Sequence, residues 1–410
     1  MPAAADLLLT NAVVLDPEGG TLSDEQNILI RDGRIAEVGS AASAPGAESV
    51  DVAGRIVLPG LIDAHVHVIA ATADLGALTR WATSYVMAQA ARILSGMLAR
   101  GFTTVRDVGG ADYGLAAAVA EGLFAGPRVV FGGRALSQTG GHGDNRGRGE
   151  QRLPSCSCPD LCRVCDGVTE VRRATRDELR RGADHIKIML SGGVASPTDR
   201  VDSTGFSLEE ITAIVEEAQA ANRYVTGHAY TAEAINRGLR CGVRCIEHGN
   251  LLDESSIALF LERDAFYVPT LATYAALAEE GPAAGLPEGS HRKVFDVLEA
   301  GIHALEVAHR AGVKIAYGTD LLGDMHRRQL SEFTLRGQVQ TPAEILRSAT
   351  STAARLLNME GQVGTITPRA YADLLVVEDN PLDDIDVLAH LDKRLRLLCQ
   401  GGRIVTNRLG

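Results

Sequence analysis

The length and the charge of the chain exclude several classes of protein. Its 410 residues, 45% of them hydrophobic and 22% charged, are typical of a globular protein that is too long for one ordinary core. A net charge of −12 repels phosphate, so we expect no nucleic-acid partner. No apolar run approaches the roughly 18 residues that span a bilayer, and the N-terminal stretch lacks a positively charged start. We therefore expect no membrane partner and a cytoplasmic location.

Both ends of the chain have the pattern of short strands separated by turns. Near the N-terminus, "LLLTNAVVLD", "NILIRDGRIAEVG" and "SVDVAGRIVLPG" are β-rich, with Asp-Gly and Gly-Gly pairs between them. Near the C-terminus, "ADLLVVEDNP" and "RLRLLCQGGRIVTN" repeat the pattern, the second as a hairpin around Gly401 and Gly402. We predict that residues 1–56 and 361–410 pair into one small β-sandwich domain.

Residues 57–360 alternate apolar, strand-like runs with longer helical patterns. The strand candidates are "LIDAHVHV", "FTTVRDVG", "RVVFGGRAL", "HIKIML", "YVTGHAY", "CIEHGN", "FYVPT" and "KIAYGTD". Eight such strand–helix units predict an α/β domain built as a parallel (β/α)8 TIM-type barrel. The polar, Gly-rich segment 140–167 is expected to form an extended loop after the third strand.

Two histidines lie two residues apart in the first predicted barrel strand. Residues two apart point to the same side of a strand, so His65 and His67 face the same way near the C-terminal mouth of the barrel. A single strand histidine is more often a core residue with its hydrogen bonds satisfied. Two neighbouring imidazoles, however, make a good half of a metal site.

Four further candidates for metal ligands lie in or at the ends of other strands, where barrel enzymes collect their chemistry. They are Lys187, His228, His248 and Asp320. A free ammonium on a buried strand is expensive unless it is paired. Lys187 is therefore either paired with a carboxylate or has reacted with carbon dioxide to give an anionic carbamate. Together with the histidine pair, the set predicts a metal centre.

Several stretches together resemble the amidohydrolase superfamily: "GLIDAHVHV", "HIKIMLSGGVASPTD", "GHAYT", "IEHGN" and "GTDLLG". Over almost the whole length, the chain is most similar to the imidazolonepropionase-like branch and, within it, to the zinc-dependent Xaa-Pro dipeptidases, or prolidases. The resemblance implies two Zn²⁺ per chain, bridged by N6-carboxylated Lys187 and a hydroxide. It implies that the more buried zinc is held by His65, His67 and Asp320, and the more exposed zinc by His228 and His248.

The resemblance also implies how an amide bond would be hydrolysed. Two zinc ions depress the pKa of a shared water, which attacks the carbonyl, and Asp320 passes the proton of that water to the departing amine. Tyr230 lies two residues after His228, on the same side, and is expected to donate its O–H to the oxyanion. His142 is expected to bind the substrate carbonyl or carboxylate. The alternatives are a half-exposed aromatic residue for Tyr230 and a solvated loop residue for His142.

The loop after Lys187 offers backbone N–H groups that can cradle a substrate carboxylate, although it can equally be a simple connection. These groups belong to Ser191, Gly192 and Gly193. Thr270 and Tyr274 follow the seventh strand and are expected to line the pocket.

Other polar residues are given structural interpretations. His185 is expected to be a buried structural residue. Arg106 and Asp107, at the end of the second strand, are expected to pair with each other, and the alternative is that they shape the floor of the pocket. Four cysteines have a spacing too tight for common zinc sites, so we expect reduced thiols in a loop, with a structural zinc site as the alternative. They are Cys156, Cys158, Cys162 and Cys165.

The sequence therefore predicts a binuclear zinc hydrolase of small peptides or N-acyl amino acids, in particular an Xaa-Pro dipeptidase or N-acyl-proline hydrolase. One alternative is an amidase or carboxypeptidase for other N-acyl amino acids, with C-terminal Arg, Lys or aromatic residues, including ochratoxin-like amides. Another is a non-catalytic scaffold with the same fold. By resemblance, we expect a homo-oligomer.

Overall fold

The computed structural model describes residues 6–151 and 158–409. Its strands are β1 (Leu7–Asp16), β2 (Thr21–Arg31), β3 (Arg34–Gly39), β4 (Glu48–Asp51), β5 (Ile56–Pro59), β6 (Leu61–Val66), β7 (Phe102–Asp107), β8 (Arg128–Phe131), β9 (Ala135–Ser137), β10 (Cys162–Val164), β11 (His185–Met189), β12 (Tyr224–Thr231), β13 (Cys245–Leu251), β14 (Phe266–Val268), β15 (Lys314–Ile315), β16 (Leu374–Val377), β17 (Leu395–Gln400) and β18 (Arg403–Asn407).

The α-helices of the described residues lie mostly between the strands of the middle region. They are α1 (Thr83–Ala99), α2 (Tyr113–Ala120), α3 (Gly167–Arg180), α4 (Leu208–Ala220), α5 (Ala232–Arg240), α6 (Glu254–Glu262), α7 (Leu271–Glu280), α8 (Glu288–Val294), α9 (Leu298–Arg310), α10 (Ser331–Arg336), α11 (Pro342–Ser348), α12 (Ser351–Leu356), α13 (Asp386–Ala389) and α14 (Leu391–Arg394). Two 3₁₀ helices span Leu75–Arg80 and Gly323–Arg328. None of the helices described is both long and apolar enough to cross a membrane.

The two chain ends form one sheet, with strand order β18-β17-β16-β5-β1-β2-β3 and β4 beside β1. Strand β16 runs antiparallel to β5, so the two ends pair as predicted. The sheet curls, because the Ile35 N–H donates to the Ala370 carbonyl at 2.9 Å and brings β3 next to the segment before β16. The result is one curled sheet around an apolar cluster that includes Leu9, Val57 and Leu397, where two stacked layers were expected. Strand β5 extends this sheet past the predicted domain boundary at residue 56.

The middle of the chain forms two parallel sheets, and each of the eight strand candidates contains a strand. One sheet has the order β6-β7-β8, the other β10-β9-β11-β12-β13-β14-β15. A few backbone bonds join them. At one edge the Asp184 N–H donates to the Phe131 carbonyl at 2.8 Å, and at the other the Ala64 N–H donates to the Tyr317 carbonyl at 2.8 Å, with a further bond from the Asp320 N–H to the His65 carbonyl at 2.9 Å. The expected α/β fold with parallel strands is confirmed. Among the described residues the eight strands do not close into one continuous ladder, because regular strand pairing stops at both junctions.

Helices cover the parallel strands with their apolar faces. In α4, Ser207 and Glu210 form a capping box, which satisfies N–H groups that the first helical turn leaves free. The buried side chains of that helix, including Ile211, Ile214 and Ala218, pack into a core with β11 and β12. The predicted loop over 140–167 contains β10, which pairs in parallel with β9 and was not expected from the polar composition.

Candidate metal centre

The C-terminal ends of the parallel strands bring the predicted ligands together. Nε2 of His65, on β6, and Nε2 of His67, just after it, each lie 3.3 Å from Oδ1 of Asp320. One ligand atom from each of His65, His248 and Asp320 falls within 4.8 Å of the others. The imidazole centroids of His248, on β13, and His228, on β12, are 4.6 Å apart. Four imidazoles and a carboxylate therefore form one contiguous cluster, with His65, His248 and Asp320 at its centre.

Two of these ligands have backbone conformations that L-residues rarely adopt. His248 has φ 70° and Asp320 has φ 53°, both in the left-handed region. Such conformations cost about 1–3 kcal/mol each and concentrate at functional sites. The buried carboxylate of Asp63 fixes Thr319, the residue before Asp320. It accepts hydrogen bonds from Thr319 Oγ1 at 2.6 Å and from the Thr319 N–H at 3.2 Å. The His65 carbonyl also accepts from the Asp320 N–H at 2.9 Å.

Hydrogen bonds to carbonyl oxygens set which nitrogen is free in two of these imidazoles. His67 Nδ1 donates to the Gly109 carbonyl at 2.8 Å, and His228 Nε2 donates to the Gly192 carbonyl at 3.1 Å. A carbonyl oxygen only accepts, so the proton is on the nitrogen facing it and the other nitrogen has a lone pair. His248 Nδ1 lies 2.8 Å from the hydroxyl of Thr270, a predicted pocket residue.

Glu247 is the important site residue that the sequence analysis missed. It is fully buried, accepts from Arg106 Nη2 and from His65 Nδ1 at 2.7 Å each, and also accepts from the Thr226 hydroxyl. Burial opposes its ionisation, but the Arg106 charge and the His65 contact outweigh burial and hold the pKa of Glu247 well below its usual range. Glu247 thus fixes the proton of His65 on Nδ1. The sequence did contain a sign of this role, because an acidic residue inside the otherwise apolar strand "CIEHGN" needs a buried partner.

The predicted ion pair between Arg106 and Asp107 is wrong. Successive residues of β7 point to opposite sides of the strand, so the two charged groups diverge. Arg106 reaches Glu247, whereas Asp107 accepts backbone N–H groups from Val68 at 2.7 Å and from Gly109 and Ala111 at 3.0 Å. Asp107 therefore orders the turn after the histidine pair.

Lys187 is buried on β11 beneath the cluster. Its side chain is 2% exposed, and its Nζ makes no hydrogen bond or ion pair with any residue that the structure describes. Burial lowers the pKa of this amine, which makes loss of its proton easier than in an exposed lysine. Burial also holds the pKa of His228 and of His248 well below the usual range of a histidine.

The donor set fits a metal ion. Nε2 of His65 is fully buried and makes no hydrogen bond, a costly arrangement for a polar atom. It faces the carboxylate of Asp320 beside the ring of His248, and imidazole nitrogens with carboxylate oxygens are ligands that Zn²⁺ prefers. These residues therefore form a group that could hold a metal.

His142 and two tyrosines surround the outer side of this cluster. The His142 ring stacks on that of His228 with centroids 4.2 Å apart, and burial lowers the pKa of His142, which favours its neutral form. Tyr230 is 3% exposed and lies 4.9 Å from His228 between ring centroids. The hydroxyl of Tyr274 donates to that of Tyr230 at 3.0 Å. Tyr230 and His142 are thus placed beside the ligands, and neither is a solvated surface residue.

The backbone N–H groups after Lys187 already have partners. Ser191 N–H donates to the His228 carbonyl at 3.3 Å, and Gly192 N–H donates to the Ser203 carbonyl at 2.9 Å. Gly193 N–H donates to the carboxylate of Asp199 at 3.0 Å. Substrate binding by these three groups stays a prediction, and it requires these bonds to be exchanged.

The remaining candidates are structural or untested. His185 is fully buried against Tyr224, with ring centroids 5.6 Å apart, as expected of a structural residue. Of the four clustered cysteines, Cys156 lies outside the described residues, and Cys162 and Cys165 are buried around β10.

Comparisons with known proteins agree with this geometry. A prolidase solved in complex with N-methylphosphonate-L-proline is 49% identical, with a TM-score of 0.96 over 98% of this chain and 100% of that one. An Xaa-Pro dipeptidase solved with bound methionine is 29% identical, with a TM-score of 0.87 over 98% and 100% of the two chains. Ochratoxinase of Aspergillus niger is 32% identical over 98% of this chain and 87% of its own length. A family model described as "Amidohydrolase family" matches residues 56–404, and the chain therefore belongs to the Amidohydrolase family, as a hydrolase of amide bonds.

Proposed function

We propose that the chain is a binuclear zinc enzyme that hydrolyses Xaa-Pro dipeptides or N-acyl prolines. The observation that carries this proposal is the convergence of His65, His248 and Asp320 at the strand ends, with the buried Lys187 beneath them. The preference for proline is supported by the likeness to the prolidase crystallised with a proline derivative.

The residues of this chain divide into two metal sites in the proposal. One would be held by His65, His67 and Asp320, the other by His228 and His248. Bound there, zinc ions supply Lewis-acid chemistry that makes hydroxide available near neutral pH. The amine of Lys187 would attack the carbon of carbon dioxide and form an N–C bond as one C=O π bond breaks. Loss of one proton from the nitrogen to water would leave an anionic carbamate whose oxygens could serve as metal ligands.

The side chains of the site account for the proton transfers. Asp320 accepts a proton from the attacking water and gives it to the amide nitrogen, which cannot leave as an anion. Tyr230 donates its O–H to the carbonyl oxygen as negative charge develops there. Because Tyr274 donates to the oxygen of Tyr230, the hydrogen of Tyr230 remains available for the substrate. His142 binds the carbonyl or the carboxylate of the substrate.

A second candidate substrate class is other N-acyl amino acids. It is supported by the 32% identity with ochratoxinase over 98% of this chain. The scaffold alternative is opposed by the complete set of ligand residues, since a scaffold has no need to retain them. Assembly as a homo-oligomer stays a prediction from the resemblance.

A dipeptide library varied at the C-terminal residue tests the proposal. We expect the zinc-loaded enzyme, prepared with bicarbonate, to turn over Xaa-Pro and N-acetylproline fastest, and Asp320→Asn to abolish that turnover. Hydrolysis of Xaa-Arg or Xaa-Lys without Xaa-Pro would show that the proline preference is wrong. Well under one zinc per purified chain, with no turnover of any substrate, would support the scaffold.

A further inference from the structure

A lysine on α8 binds the loop that follows β11. Nζ of Lys293 donates to the carbonyl oxygens of Gly193 at 3.1 Å, Ser196 at 3.0 Å and Asp199 at 2.8 Å. It also lies 3.5 Å from a carboxylate oxygen of Asp199. All three N–H groups of the ammonium are thus used on one loop, about 100 residues away in sequence. None is left for a substrate.

The same loop holds the ring of His142. Nδ1 of His142 lies 2.9 Å from the hydroxyl of Ser196, and that hydroxyl also donates to the carboxylate of Asp199. The loop backbone is so close at Gly193 that a Cβ there would lie 2.1 Å from atoms of the His142 ring. The ring is thereby confined between this loop and His228.

We propose that Lys293 is a positioning residue that restrains the 191–199 loop and, through Ser196 and Gly193, fixes the ring of His142 over the metal centre. The inference rests on the proposed function, because the position of His142 matters only if that ring binds the substrate. Three carbonyl dipoles and a carboxylate that point at one place repel each other unless a cation lies between them. An apolar residue at 293 leaves this repulsion uncompensated and releases the loop.

A double-mutant cycle tests the coupling between Lys293 and His142. We expect Lys293→Met to lower kcat/KM by about 10–100-fold, the loss that misplacement of a substrate-binding group by about 1 Å produces. In the His142→Ala background, the same change should lower kcat/KM less than twofold. The matched control is Arg292→Ala, since Arg292 is an exposed neighbour on α8 whose side chain, among the described residues, pairs with Glu288 on the same helix. It should retain wild-type kinetics, and all variants should bind the same amount of zinc.

Ser196→Ala provides a second, milder variant. It removes the hydroxyl between the loop and His142 but keeps the carbonyl that Lys293 binds. We expect a three- to tenfold loss of kcat/KM, typical of one hydrogen bond, and again no further loss in the His142→Ala background. Losses that multiply in both double mutants would overturn the proposal, because they would show a general structural role.

Amide hydrogen exchange of the metal-loaded protein separates this inference from the proposed function. Lys293→Met should accelerate exchange in residues 191–199 at least tenfold, including the Gly193 N–H that is bonded to Asp199. Arg292→Ala should leave it unchanged. Unchanged exchange in Lys293→Met would overturn the restraint whatever the substrate. Accelerated exchange together with a lack of activity on proline substrates would refute the proline preference but support the restraint of the loop by Lys293. The double-mutant cycle would then be measured on whichever amide the enzyme hydrolyses.

Discussion

Replacement of Glu247 by glutamine is the most informative perturbation of the site. The side chain has no exposure and accepts one hydrogen bond from Arg106 and one from His65, each at 2.7 Å. Glutamine keeps the shape but removes the charge and turns one oxygen into an N–H₂ group that faces a donor. Loss of one partner of a buried ion pair costs about 3–5 kcal/mol. Loss of the group that orients a histidine ligand lowers metal affinity by about 10–100-fold.

The assay is zinc affinity by competition with a chelator, measured beside chemical denaturation of the metal-free protein. The matched control is Glu332→Gln. Glu332 is also fully buried and pairs with the buried Arg336 at 2.8 Å, but it contacts none of the ligand histidines. We expect both variants to unfold at lower denaturant and only Glu247→Gln to lose zinc affinity. If the zinc affinity of Glu247→Gln lay within twofold of the wild-type value, Glu247 would not be needed to orient His65 for metal binding.

The other predictions concern the outer side of the site and the metal. Tyr230→Phe should lower kcat by about 100-fold, because it removes the donor to the oxyanion. Tyr274→Phe should lower kcat/KM by only about three- to tenfold, because Tyr274 orients that donor. Equal effects of the two substitutions would contradict these roles. Gly193→Ala should displace His142 and lower kcat/KM at least tenfold, whereas Gly149→Ala, with open space around its Cβ, should have no effect. Chelation should abolish turnover, and zinc should restore it faster with bicarbonate than in carbon-dioxide-free buffer; equal recovery would argue against the carbamate.

Much of the site could be predicted because its chemistry is local in sequence. An apolar run followed by His228, His248 or Asp320 predicts both a strand and the polar side chain near its C-terminal end. Parallel strands bring those ends together whatever the details of the ladder. The candidate ligands could therefore be proposed from strand assignment and residue type alone. The structure brings ligand atoms of His65, His248 and Asp320 within 4.8 Å of one another, and the role of the full set stays a prediction.

The rest depends on contacts between residues far apart in sequence. From the sequence, Arg106 could pair with its neighbour Asp107 or with Glu247, 141 residues away. Only the three-dimensional arrangement, in which Arg106 on β7 faces Glu247 on β13, selects Glu247. The curled sheet depends on Ile35 meeting Ala370, which no strand pattern reveals. Lys293 lies in a helix with an ordinary basic last turn, and nothing in its neighbours indicates the loop that it binds.

We propose that six side chains meet around two zinc ions bridged by a modified Lys187. This claim is tested by diffraction from crystals grown with zinc and bicarbonate, recorded on both sides of the zinc absorption edge. We predict two anomalous peaks among His65, His67, His228, His248 and Asp320, with carbamate density on Lys187. A single peak, a peak elsewhere or an unmodified amine at Lys187 would contradict the claim.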